Sequence, residues 1–262
     1  MESFVKSSIE SGVGRITLNR PEKRNALKRE FIDQLIEAVR SFSESDGLRV
    51  LVIESSGTVF CAGMDLGQMQ ERAQSEDGKK EWQKDSEVYA DLLAAIYHLP
   101  VPTIAALQGP VLAGGVGMVL ACDFIVASEN AFVMLPEPAR GITAAMVTPF
   151  LVQRVGVGPA THLLLSGEKM SAARAVEVGL AYSVVPHEEL SSSVNSLVGS
   201  ILRGSQSALE ITKRHVQKCG ISNLDELLRM SIRVSAEARE TDDAREGLAA
   251  FLEKRKPNWQ PE

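Results

Sequence analysis

Apolar positions in the first two thirds of the chain switch between two periods. β-Branched runs at residues 14–19 (GRITLN) and 50–54 (VLVIE) read as strands, the second bounded by Asp46-Gly47 and Ser55-Ser56-Gly57. Between them, residues 28–42 place Phe31, Ile32, Leu35, Ile36 and Val39 on one helical stripe. The alternation then repeats. Residues 81–99 carry Tyr89, Leu92, Leu93 and Ile96 on one face and stop before Pro100; residues 102–107 form an apolar strand running into Gly109-Pro110. The turn Ala113-Gly114-Gly115-Val116-Gly117 opens an apolar helix ending near Cys122, and a strand follows at 124–127. Strands alternating with helices predict an α/β domain with one shared core.

Beyond about Leu190 the strand signal stops. Residues 191–202, 207–217, 224–239 and 242–254 are helical by period. The pattern predicts a core at 1–200 and a helical region at 201–262, whose apolar faces need the core or another subunit to cover them. The stretch at 74–80 is merely polar.

Composition narrows the function classes. The chain of 262 residues is 44% hydrophobic and 24% charged, which excludes a disordered or fibrous protein. With 28 basic and 34 acidic residues the net charge is −6, so no general attraction to nucleic acid or an anionic membrane is expected. Cys61, Cys122 and Cys219 suit neither a disulfide framework nor a zinc site, and no other metal set stands out. The N-terminal segment Met1 to Lys6 lacks the basic and apolar runs of a secretory signal, and the most apolar region, 102–127, is broken by glycines and Asp123. The expectation is a soluble protein of a reducing, cytoplasmic compartment.

Two segments carry candidate chemistry. In Phe60-Cys61-Ala62-Gly63-Met64-Asp65-Leu66, Gly63 permits a tight turn that points the Met64 N–H outward. In residues 104–115 the same strand, glycine turn and helix start offer the Gly114 N–H. Two amides converging on one point would form an oxyanion hole for a thioester carbonyl gaining enolate character; an ordinary loop is the alternative at each position. A dinucleotide site fits poorly, because Leu120 stands where the third glycine of GxGxxG belongs.

The run from Ile104 to Phe124, with Gly109, Ala113-Gly114-Gly115 and Cys122-Asp123-Phe124, resembles the signature of the enoyl-CoA hydratase/isomerase (crotonase) family. The segments Asn19 to Leu27 (NRPEKRNAL) and Phe60 to Leu66 resemble its other hallmarks, in the right order, and the likeness extends to Ala250-Phe251-Leu252-Glu253-Lys254-Arg255. The resemblance implies a spiral of repeated β-β-α units with a C-terminal helical trimerisation region, assembled as a homotrimer or a hexamer. It implies an acyl-CoA substrate, as in fatty acid metabolism, with coenzyme A entering as part of the thioester and no prosthetic group. Lys23 and Arg24 match positions near the CoA phosphates, and Ala62 to Asp65 match the backbone near the adenine. Phe251 and Lys254 match positions that reach the CoA of a neighbouring subunit in some relatives; for Lys254 a solvated surface lysine is the alternative.

The family's hydratases carry two glutamates. The first position aligns with Gly117, which has no side chain, and the second with Glu137, in Leu135-Pro136-Glu137-Pro138. One acid suits a proton shuttle that moves a double bond, whereas hydration needs water held between two acids. Double-bond isomerisation is therefore expected, with Glu137 as the catalytic acid/base and the Met64 and Gly114 amides as the oxyanion hole. Asp65, Glu71 or Glu87 could fold in as a second acid and restore hydration, and Gly117→Glu would raise hydration if the site has room. A dehalogenase lacks its aspartate among residues 140–145, and a naphthoate synthase lacks an acid at position 137; thioester hydrolysis and decarboxylation stay open. A non-catalytic relative binding CoA thioesters or RNA is the other class, with RNA disfavoured by the charge. Asp123 and the four histidines read as structural or surface residues.

Overall fold

A computed structural model describes residues 3–259, except 46, 74, 76, 221 and 222, and only the backbone of 73 and 79. Met1 and Glu2 of the N-terminal segment, Asp46 of the turn before the second strand, and Gln74 and Glu76 of the polar stretch lie outside the described residues.

The chain winds as a spiral whose turns each give a strand to a main sheet, a short extended segment to a small sheet, and then a helix. β1 (Val5–Glu10) and β2 (Val13–Leu18) form a hairpin over Ser11-Gly12, both at positive φ, as a two-residue turn between antiparallel strands requires. Leu27 then bridges Met64 before α1 (Arg29–Ser43). In the second turn β3 (Val50–Ser55) leads through Cys61, which bridges Val111, to α2 (Leu66–Ala73) and α3 (Gly78–His98). The third turn comprises β4 (Thr103–Leu107), β5 (Val111–Leu112) and α4 (Gly114–Leu120). The fourth comprises β6 (Phe124–Ser128), β7 (Phe132–Met134), a 3-10 turn at Pro138–Arg140, α5 (Thr148–Val155) and α6 (Val157–Ser166). Short β8 (Met170–Ser171), α7 (Ala172–Glu177) and β9 (Ser183–Val185) complete the spiral. The main sheet has the order β1-β2-β3-β4-β6-β9 and is parallel from β2 onward; the small sheet has the order β5-β7-β8.

Both faces of the main sheet are covered, which is why its central strands are apolar throughout. Leu51, Ile53, Ala105, Leu107, Ile125 and Ala127 face one core with α1, α3 and α4. The alternate residues Val50, Val52, Ile104, Ala106 and Val126 face a second core closed by Leu190, Val194, Val198 and Ile201 of α8 (Leu190–Leu202). Residue 200 falls within α8. The helices that follow return to the same chain: α9 (Gln206–Cys219) sends Lys213 to the Val101 carbonyl at 2.9 Å and to Asp123 at 2.8 Å. α10 (Leu224–Arg239) packs along α3, and α11 (Asp242–Leu252) packs on the 3-10 turn after Glu137. Asp123 accepts from the Thr103 N–H at 2.7 Å and its hydroxyl at 3.0 Å, fixing β4 beside β6. Among the described residues no helix is long and apolar enough to cross a membrane.

Candidate active site

The two glycine-containing loops are clamped together. The Phe60 N–H donates to the Pro110 carbonyl and the Leu112 N–H to the Cys61 carbonyl, each at 2.9 Å. Gly63 has φ +87°, and a Cβ there would lie 2.5 Å from the Ala113 Cβ, so position 63 must be glycine on both counts. Ala113 caps α4 at φ 52°, ψ −131°, a conformation natural to glycine that costs an alanine about 1 to 3 kcal/mol. The strained residue immediately precedes Gly114, which lines the cavity at the start of α4. Neither the Met64 nor the Gly114 N–H meets an acceptor among the described residues, and both residues line one cavity of about 50 Å³. Buried Asn25 staples the first hallmark segment beneath them: its amide donates to the Ser56 carbonyl at 2.9 Å and the Val59 carbonyl at 3.0 Å, and its side-chain oxygen accepts from the Arg20 N–H at 2.8 Å.

Glu137 lines the same cavity, buried at the start of the 3-10 turn that Pro138 enters and Gly141 ends. Its Oε2 has no hydrogen-bond partner among the described residues. Burial pushes its pKa up to about 7, against the opposing pulls of its own backbone amide and the Arg140 charge. A carboxyl group so placed exchanges a proton near neutral pH.

Opposite, position 117 has no room for an acid. A Cβ on Gly117 would lie 2.3 Å from the Tyr89 Oη and 3.3 Å from Val147. The Tyr89 hydroxyl fills that space and donates to the Gly114 carbonyl. A gain in hydration from Gly117→Glu requires room at this position, and the structure leaves none. The alternatives fail as well. Glu71 and Glu87 are exposed and do not line the cavity. Asp65 is bound to Arg20 at 2.7 Å and caps α2 through the Gly67 and Gln68 amides at 3.1 and 3.3 Å. Although burial opposes it, this hydrogen bonding keeps the Asp65 carboxyl below its ordinary range.

Of the remaining sequence-derived positions, Ala62 lines the cavity and its N–H donates to the Arg24 carbonyl at 3.0 Å, which ties the Arg24 backbone to the cavity wall. Lys23 and Arg24 are exposed on and after the 3-10 turn at Pro21–Lys23. Phe251 is exposed and carries the Arg140 guanidinium 4.6 Å above its ring; Arg140 lines the cavity. Lys23, Arg24, Asp65, Phe251 and Lys254 stand outside the cavity wall. Cys61 is buried, which raises its thiol to about 12 and makes it inert at neutral pH.

With this geometry in place, the family model described as enoyl-CoA hydratase/isomerase matches residues 8–262. The chain belongs to the enoyl-CoA hydratase/isomerase family. It is 35% identical to the Bos taurus enoyl-CoA hydratase domain-containing protein 2, mitochondrial, over 95% of this chain and 84% of that protein. It is 27% identical to the trans-2-decenoyl-[acyl-carrier-protein] isomerase of Streptococcus mutans, over 96% of each. An enoyl-CoA hydratase structure from Mycobacterium avium superposes with a TM-score of 0.88 at 32% identity, covering 99% of this chain and all of that one. The crotonase fold expected from the hallmark segments is therefore present along the whole chain.

Membership in this family directs attention to cavity residues that the sequence did not single out for chemistry: Tyr89, Arg140, and the polar group Asp85, Ser86, Ser235 and Arg239. The available signal was polarity on an apolar stripe. Asp85 and Ser86 lie one turn before Tyr89 on the buried face of α3, and Ser235 and Arg239 continue the buried stripe of α10.

Proposed function

We propose that the protein is an enoyl-CoA double-bond isomerase in which Glu137 is the single acid/base. The observation that carries this reading is one buried carboxylate with a free oxygen in the cavity, facing a position where Tyr89 excludes a second acid. The thioester oxygen accepts from the Met64 and Gly114 amides. Ionised Glu137 takes a proton from the carbon alpha to the thioester of a 3-enoyl-CoA. Negative charge passes to the thioester oxygen, where the two donors stabilise the dienolate. Protonated Glu137 then returns the proton at the gamma carbon, leaving the double bond conjugated and the carboxylate regenerated. Exposed Arg24 and Lys23, with Arg140 and Phe251, supply cations and an apolar face for the CoA; Lys254 is assigned to the CoA of a neighbouring subunit.

Hydration is the second reading, favoured by the hydratase names of several relatives and by the Tyr89 hydroxyl, which stands where a water could be held. We assign the assembly as a trimer or a pair of trimers, supported by the exposed apolar side chains of Val157, Leu165, Tyr182, Ile211 and Val216; light scattering of the purified protein tests it. For the reaction, a panel of 2- and 3-enoyl-CoAs followed by mass spectrometry decides, since hydration adds the mass of water and isomerisation adds none. Isomerisation lost in Glu137→Gln is expected. Robust hydration that survives that substitution would overturn the proposal.

A further inference from the structure

The seam between α3 and α10 changes character along its length. The buried stripe of α10 runs Leu224, Leu228, Ser231, Ser235, Arg239, apolar at its start and charged at its end. The two helices run antiparallel, with Asp225 3.9 Å from His98 at one end and Arg239 against Trp82 and Ser86 at the other. The charged end opens into the cavity that holds Glu137: Asp85, Ser86, Ser235 and Arg239 all line it.

Charge does not balance there. Asp85 is occupied, with the Arg29 Nε donating to Oδ1 at 2.8 Å and the Arg72 Nε 2.8 Å from Oδ2. Arg72 also pairs with Glu81 at 2.7 Å. Arg239 makes no ion pair among the described residues; it donates only to the Trp82 carbonyl and the Ser86 hydroxyl, each at 3.3 Å. Three guanidiniums thus meet two carboxylates, leaving one buried positive charge. Burial lowers the Arg239 pKa to about 10, with Asp85 opposing, so the group stays charged at neutral pH. An unpaired buried charge is strongly unfavourable, and the seam would pack better with leucine or methionine at position 239. A cation kept at that cost points to an anion supplied from the cavity.

We propose that this end of the cavity receives a carboxylate at the far end of the acyl group, so that the preferred ligand is a short acyl-CoA thioester with a terminal carboxylate, held by Arg239 with Ser86 and Ser235. The guanidinium fork matches a carboxylate in shape and in charge. The inference rests on the reading above, in which the thioester carbonyl sits at the Met64 and Gly114 amides, and adds to it that the acyl tail extends along the same cavity toward Ser86, Ser235 and Arg239.

The test uses saturated thioesters, so that binding is read without turnover. Glutaryl-CoA, pentanoyl-CoA and 5-hydroxypentanoyl-CoA share one chain length and differ at the far end in carrying a carboxylate, a methyl or a hydroxyl. Calorimetric titration of the full-length protein is expected to show glutaryl-CoA binding at least about tenfold more tightly than either neutral thioester. In Arg239→Gln the ratio should collapse toward one, and in Ser235→Asp it should invert. Equal or weaker binding of glutaryl-CoA by the wild type, hydroxypentanoyl-CoA binding as tightly as glutaryl-CoA, or a preference unmoved by both substitutions would each overturn the proposal. The wild-type comparison and Ser235→Asp decide the matter if Arg239→Gln does not fold. Failure of all three thioesters to bind would instead overturn the thioester reading itself, and this inference with it.

Discussion

Two buried carboxylates line the same cavity and are treated in opposite ways. Asp85, on the α3–α10 seam, is held between Arg29 and Arg72, and both of its oxygens are occupied. Glu137, on the 3-10 turn, keeps one oxygen without a partner and is pushed up to about 7 by burial. Burial alone therefore does not make an acid reactive. A carboxylate clamped by guanidiniums has no free oxygen to offer a substrate, whereas one left uncompensated sits near the point where it gains and loses a proton. The contrast assigns structure to Asp85 and chemistry to Glu137, and substitutions can break either half of it.

The largest effect belongs to Glu137→Gln. The neutral amide keeps the shape and removes the base, so kcat/KM for isomerisation should fall by about 1,000-fold while the circular dichroism spectrum is unchanged. Wild-type kcat/KM should rise with pH through about 7, as the base form appears, and that limb should vanish in the variant. Stability should move the other way. The folded pKa of about 7 lies above the ordinary 4.5, so the stability contributed by the bound proton is complete below pH 4.5 and lost as pH rises through 7. Wild type should lose about 3 kcal/mol relative to Glu137→Gln across that window, measured by urea unfolding at several pH values. A pH-independent difference would mean that Glu137 is not buried alone.

Asp85→Asn should act on stability first. It leaves the half-buried Arg29 and Arg72 without their shared partner, next to the buried Arg239, and should cost about 2 kcal/mol, read as a lower denaturation midpoint. If Asp85→Asn were neutral in stability and as damaging to turnover as Glu137→Gln, the division of labour between the two acids would fail.

A smaller effect tests why only one acid is available. Gly117→Ala places a Cβ against the Tyr89 Oη and should destabilise by about 2 kcal/mol. Combining it with Tyr89→Phe should return much of that loss, since the hydroxyl is the clashing atom. Two independent penalties that simply add would mean that Val147 or Leu93, and not the Tyr89 hydroxyl, closes position 117.

Much of this site was legible before the fold was. The hairpin-free spiral segments from Val50 to Ser128 have strongly periodic apolar patterns, and the clamped loops advertise themselves because a Cβ at Gly63 would lie 2.5 Å from the Ala113 Cβ, which excludes every residue but glycine. β1 went unread because its sequence, VKSSIE, has five exposed positions out of six and so no apolar period, and β5 and β8 are two residues each. Arg239 and Ser86 went unread for a different reason. Their meaning depends on two helices meeting across 153 residues of sequence, and a polar residue on an apolar stripe says only that something must satisfy it. Tyr89 read as ordinary core, which its burial supports; that its hydroxyl fills the space above Gly117 depends on the packing of α3 on α4.

Tyr89→Phe is the smallest change and discriminates most finely. The substitution removes one hydroxyl that donates to the Gly114 carbonyl, while the ring keeps its place in the core. Losing that hydrogen bond should cost about 1 kcal/mol of stability, and a slight loosening of the Gly114 loop should reduce isomerisation by less than about tenfold. If the hydroxyl also holds water opposite Glu137, any residual hydration should fall further than isomerisation does, and the ratio of the two products, measured by mass spectrometry on one enoyl-CoA, should shift toward the isomer. A loss of isomerisation as deep as that in Glu137→Gln would show that the tyrosine, too, moves a proton, and the single-carboxylate mechanism would give way to one shared between Glu137 and Tyr89.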